Sequence, residues 1–189
     1  MKFSKKINYF YKIGFYFLSL DILFGIFFVL NCFDKDMNIK SLDLIFNLYG
    51  IILIIFMLIG LFTFYLFKKM LVKRDLSVEL KKVESINFEY MSFFYTYIMP
   101  LIFVNFGDKR NYLITFILLF FIGVIYIRTN LYYSNPILAI YGFKIYRVEY
   151  ESKNKVQKKI LISKDDLHVD DHIVYQLLSD DIIYGGKNR

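Results

Sequence analysis

Cysteine is nearly absent: Cys32 is the only one, so neither an internal disulfide framework nor a cluster of thiolate ligands is available. Histidine occurs twice, tryptophan not at all, and proline only at Pro100 and Pro136. There is no Gly-rich phosphate loop, no H-E-x-x-H pair and no Ser-His-Asp order that can be placed. Those gaps point away from an enzyme, and no cofactor is expected. Polarity is also in short supply. Hydrophobic residues make up 57% of the 189, mean hydropathy is +0.45, and Phe and Tyr together number 39. A soluble chain of this length could not bury that much apolar surface, and the same composition excludes a disordered tail. Yet the formal charge is +7, from 24 Lys and Arg against 17 Asp and Glu. Apolar and charged residues must then occupy separate blocks, and they do.

A helix crossing the roughly 30 Å hydrocarbon core needs about 20 apolar residues at about 1.5 Å each. Four stretches qualify: residues 13–33 with the lone charge Asp21, 44–67 with none, 90–107 with Pro100 near its middle, and 112–133 with Arg128 near its end. The second and fourth show no polar face at the 3.6-residue period, unlike a soluble bundle helix. The expected fold is therefore an α-helical polytopic membrane protein with four transmembrane helices over residues 1–133. Between the spans, 19 Lys and Arg fall on one side and four on the other. That asymmetry predicts a multi-pass membrane protein with both termini cytoplasmic.

Between the second and third spans, residues 68–89 lack Gly and Pro and carry an apolar stripe of Val72, Leu76, Leu80 and Val83. Lys73, Arg74, Lys81 and Lys82 lie mostly off that stripe. The 4-4-3 spacing predicts a cytoplasmic amphipathic segment with a helical face, suited to membrane lipids or a partner. Beyond the fourth span, Asn135-Pro136 breaks the helix. Roughly alternating runs at 143–151, 156–163, 172–179 and 182–184 then predict a four-stranded cytoplasmic β module over 134–189. Alone it would be marginally stable, so it should lean on the helices, a second copy or another protein.

An ionisable group at bilayer depth costs roughly 2.5–3.5 kcal/mol, so Asp21 should face the bundle interior and have a partner. By helical rise it lies about 12 Å in from the cytoplasmic end and Arg128 about 7 Å in. An intramembrane Asp21–Arg128 pair is the expectation, acting as packing glue or as a gating element. Pro100 is a candidate helix kink, and Gly50, Gly60 and Gly123 are candidate close contacts between helices. His168 and His172 flank two aspartates but straddle a turn, so no metal site is expected. The tail's nine basic residues are offset by eight acidic ones, so direct nucleic-acid binding is not expected either.

One region carries a family likeness. YTYIMPLIF, the short loop GDKRN and above all IYIRTNLYYSNPILAIYGFKIYRVE resemble the membrane subunit of the Kiwa anti-phage defence system, the KwaA family. The resemblance implies a multi-span protein of the bacterial inner (cell) membrane that forms a homo-oligomer and works with a cytosolic DNA-binding partner of the KwaB type. Two functions compete, the first implied by the resemblance and the second by Asp21 and Pro100 placed in the lumen of oligomerised spans. The first is an anchor and sensor subunit of a defence complex that recruits the cytosolic effector to the membrane. The second is an oligomeric pore or channel-type membrane effector.

Overall fold

The computed structural model describes residues 9–32, 48–71, 76–102, 109–152 and 155–187. Unbroken apolar sequence produces the two longest elements, α1 (Tyr9–Cys32) and α2 (Leu48–Met70). They run antiparallel and are locked by rings. Phe15 meets Phe67 edge-on at 4.9 Å, Phe17 stacks on Phe56 at 4.8 Å, and Phe24 reaches Phe56 at 5.7 Å. Next come α3 (Phe88–Phe93), a π turn over Phe94–Ile98, α4 (Met99–Ile102) and α5 (Lys109–Arg128). A 3-10 turn (Leu131–Ser134) and α6 (Pro136–Ile140) then lead into the terminal strands.

The four-span architecture does not hold. Among the described residues, two helices, Tyr9–Leu30 and Gly50–Met70, are long and apolar enough to cross a membrane. The apolar run Leu113–Arg128 is shorter, about 24 Å of helix against the roughly 30 Å required. The described part of 90–107 is α3, a π turn and the four-residue α4, with Pro100 inside α4 and residues 103–108 outside the described residues. The correction has a physical cause. Hydropathy counts apolar side chains without asking whether they meet lipid or protein. Here Phe93, Ile98, Leu101, Tyr126, Tyr132 and Leu138 turn inward onto the core that Phe15 and Leu18 build.

The second correction concerns the sheet, which is a closed five-stranded barrel. Its strands are β1 (Leu76–Ser85), β2 (Lys144–Ser152), β3 (Lys155–Ser163), β4 (His172–Leu177) and β5 (Ile182–Lys187). They follow the order β1-β2-β3-β5-β4 and close through a β1–β4 pairing, with β3–β5 the parallel pair. This is a small Greek-key barrel of the OB type. Its tyrosines Tyr146, Tyr150 and Tyr175 fill the interior with Leu80, Val148 and Ile173.

β1 comes from the segment expected as a helical face. Its register on β2 shifts between Leu80↔Tyr150 and Lys82↔Glu149. That bulge inserts Lys81 and leaves two consecutive lysines outside the barrel. Lys81 lies 3.5 Å from Glu79, and Lys82 lies 3.9 Å from Glu149. Leu80 is buried in the barrel, Val83 half-buried and Leu76 exposed. Val72, Lys73 and Arg74 lie outside the described residues.

Asp171 locks the turn before β4. Its Oδ2 accepts from the His168 backbone N–H at 2.7 Å and lies 3.1 Å from Lys187 Nζ on β5. The His168 N–H, followed by Lys187, holds the carboxyl below the usual carboxylate range. A depressed folded-state value adds stability above the unfolded pKa of about 4 and loses it as pH falls through the folded value. Asp171→Asn should thus lower the melting temperature by a few degrees at pH 7, with the gap to wild type closing toward pH 2. Paired thermal melts at the two pH values read this directly.

Candidate functional site: the junction of helices and barrel

Small residues bring α1 and α2 into backbone contact. A Cβ built on Gly60 would lie 2.8 Å from Leu18 N and Cα and 2.8 Å from Asp21 Oδ1, and one on Gly14 would overlap the Thr63 side chain. Gly123 on α5 faces the Tyr16 ring in the same way, with Cε1 3.0 Å from such a Cβ. Gly60 and Gly123 thus sit where the sequence suggested, and Gly50 is buried on α2. Gly14 with Thr63 was missed. The readable signal was Gly60-x-x-Thr63, small residues one turn apart on one face.

Asp21 lies on the same seam. It is 8% exposed, and neither carboxylate oxygen has a hydrogen-bond partner. Arg128 ends α5 with its side chain exposed and forms no ion pair with Asp21. The expected pair is therefore not brought together. Nothing else charged reaches Asp21 among the described residues.

The joinery is concentrated at one end of α1. The Phe15 carbonyl accepts from Tyr126 Oη at 3.1 Å and from Asn135 Nδ2 at 3.0 Å. Asn135 is fully buried, and its Oδ1 also accepts from the Ile137 N–H at 2.9 Å, capping α6. Tyr16 Oη donates to the Leu119 carbonyl at 2.5 Å. Among the described residues, three side-chain bonds also tie the barrel on. Gln176 Nε2 donates to the Met70 carbonyl at 3.2 Å, the Ile145 N–H to Asn87 Oδ1 at 2.7 Å, and Tyr90 Oη to the Phe143 carbonyl at 3.3 Å. Asn135 was read from sequence only as a helix breaker. Its anchoring role was signalled by a lone amide between apolar runs, since a buried amide must find partners.

Compared with known proteins, the chain matches the family described as "Anti-phage protein KwaA" over residues 11–184. It is also 33% identical over 193 residues to the Kiwa protein KwaA of Escherichia coli O55:H7 (strain RM12579 / EPEC), covering 95% of this chain and 97% of that protein. The chain belongs to the KwaA family. Its role is therefore in anti-phage defence, within the Kiwa system. No solved structure matches it. The KwaA match runs from α1 into β5, so it takes in the α1–α2 seam, the Asn135 joint and the whole circuit of barrel strands. Among the described residues, no three His, Cys, Asp or Glu side chains are grouped so as to hold a metal ion.

Proposed function

We propose that this chain is the membrane-held subunit of its defence complex, with α1 and α2 in the cell membrane and the barrel in the cytoplasm as the docking face for a DNA-binding effector of the KwaB type. One observation carries this reading. The start of α1 meets the end of α2 through Phe67 and the end of α5 through Tyr126 at the Phe15–Asn135 joint, and the barrel is tied to Met70, Asn87 and Tyr90, while Leu58, Leu61 and Phe62 of α2 and Phe116, Phe120 and Phe121 of α5 stay exposed. Such a shape holds a polar domain beside an apolar surface. The barrel wall over β1–β2–β3 carries charges of both signs in register. Arg147 lies 3.3 Å from Glu84, and Glu149 lies 3.1 Å from Lys158. A mixed-charge face of this kind selects a partner by complementarity. The reading assigns the chain no catalysis of its own.

Tagged chain purified in detergent from cells that also carry the effector tests this. A soluble DNA-binding partner should co-purify, and Arg147→Glu with Lys82→Glu should release it while the chain stays folded. Recovery of the chain alone at every salt concentration sinks the proposal. Asp21 separates this reading from a pore. With both oxygens unpartnered, Asp21→Leu should keep phage protection and raise stability by about 1–2 kcal/mol. Ion leakage on infection that the substitution abolishes would favour the pore instead.

A further inference from the structure

Where α2 ends, three lysines are held over aromatic rings. Lys68 Nζ lies 4.6 Å from the Phe64 centroid and 4.5 Å from that of Tyr141. Lys69 Nζ stands 4.6 Å over Tyr65, and Lys164, in the turn after β3, lies 4.8 Å over Phe143. The rings themselves are continuous: Phe64 packs on Tyr141 at 4.4 Å and on Phe143 at 6.4 Å. Three elements distant in sequence thus build one patch. None of these lysines is in an ion pair among the described residues. The acids beside Lys164 are engaged elsewhere, Asp166 with Lys144 and Asp165 with the Lys187 N–H. At the centre of the patch the α6–β2 turn pushes its apolar tip outward. Ile140 is 69% and Tyr141 43% exposed, and Gly142 at φ +76° lets the chain reverse.

We infer that this patch is a docking site for anionic lipid headgroups, with Ile140 and Tyr141 entering the interface and Lys68, Lys69 and Lys164 meeting the phosphates. The inference rests on the membrane reading above and adds to it a lipid class and the residues that read it. Continuity with the α2 apolar surface selects lipid as the occupant. Tyr65, at 53% exposure, and Phe62 and Leu61 lead straight from the patch along a helix long enough to span a membrane. Aromatic rings carrying lysine at the end of such a helix match the composition of the membrane–water interface. A nucleic acid would instead need the cations without an exposed isoleucine between them.

The chain lacks tryptophan, so single replacements report their own surroundings. Full-length Leu58→Trp, Ile140→Trp and Val156→Trp proteins are reconstituted into vesicles of phosphatidylcholine, with or without one part in about three of phosphatidylglycerol, each brominated in turn. Leu58→Trp, midway along α2, should be quenched in both, and Val156→Trp, at the far end of the barrel, in neither. Ile140→Trp should shift to the blue and be quenched several-fold more by brominated phosphatidylglycerol than by brominated phosphatidylcholine. Lys68→Gln, Lys69→Gln and Lys164→Gln together should abolish that preference, each lysine contributing roughly fivefold. If Leu58→Trp is unquenched, the membrane reading itself fails. If Leu58→Trp is quenched but Ile140→Trp emits as in water, only the docking site fails. Equal quenching of Ile140→Trp by the two lipids also overturns it, because the turn would then insert without reading the headgroup.

Discussion

Gly60→Leu is expected to force α1 and α2 apart, destabilising the chain by about 3 kcal/mol or more and abolishing phage protection. Its side chain would have to enter space filled by the Leu18 backbone, and a backbone inside a packed helix cannot step aside. Gly14 provides a controlled comparison. Its neighbour is the Thr63 side chain, so Gly14→Ala should be rescued by Thr63→Gly, whereas no single replacement on α1 should rescue Gly60→Leu. Thermal melts in detergent with plaque assays on the same variants decide the matter. Wild-type stability in Gly60→Leu would show that the seam is not a close backbone contact.

Asn135→Ala should be nearly as costly, about 2–3 kcal/mol, because one buried amide makes two unlike bonds. It removes a donor to the Phe15 carbonyl and the cap of α6 together. The added signature is local: α6 should fray, and limited proteolysis should cut near Tyr141 before the rest of the chain opens. Tyr126→Phe removes the second donor to the same carbonyl. A double-mutant cycle should therefore give a coupling energy of at least about 0.5 kcal/mol, since residues sharing one acceptor are not independent. Strict additivity would mean that the two bonds do not share a load.

Several elements could be read from the chain before it was seen folded. The runs at 143–151, 156–163, 172–179 and 182–184 lie on β2 to β5 within a few residues, because apolar and polar side chains alternate there and turns separate them. β1 could not be read that way, for a specific reason. Leu76, Val78 and Leu80 keep the two-residue period of a strand, but the bulge at Lys81 moves the next inward position to Val83. Sampled at Leu76, Leu80 and Val83, a bulged strand presents the spacing of a helix. The span count failed because side-chain hydropathy is blind to what each face meets. The absence of an Asp21–Arg128 pair was equally illegible: helical rise gives depth along an axis and says nothing of rotation about it.

β1 also sets a timetable. It leaves the ribosome soon after α2, yet its partner on the closing seam is β4, with Leu76 opposite Tyr175 roughly 100 residues later. Until then one of its edges stays open even after β2 has taken the other, the kind of backbone that recruits wrong neighbours. The helices translated in the interval hold it beside the place where its partners will arrive, so the layer that looks like a mere tether also serves as a jig. An excised piece beginning at residue 134 would lack this strand and leave the sheet gaping, however well its own four strands were chosen.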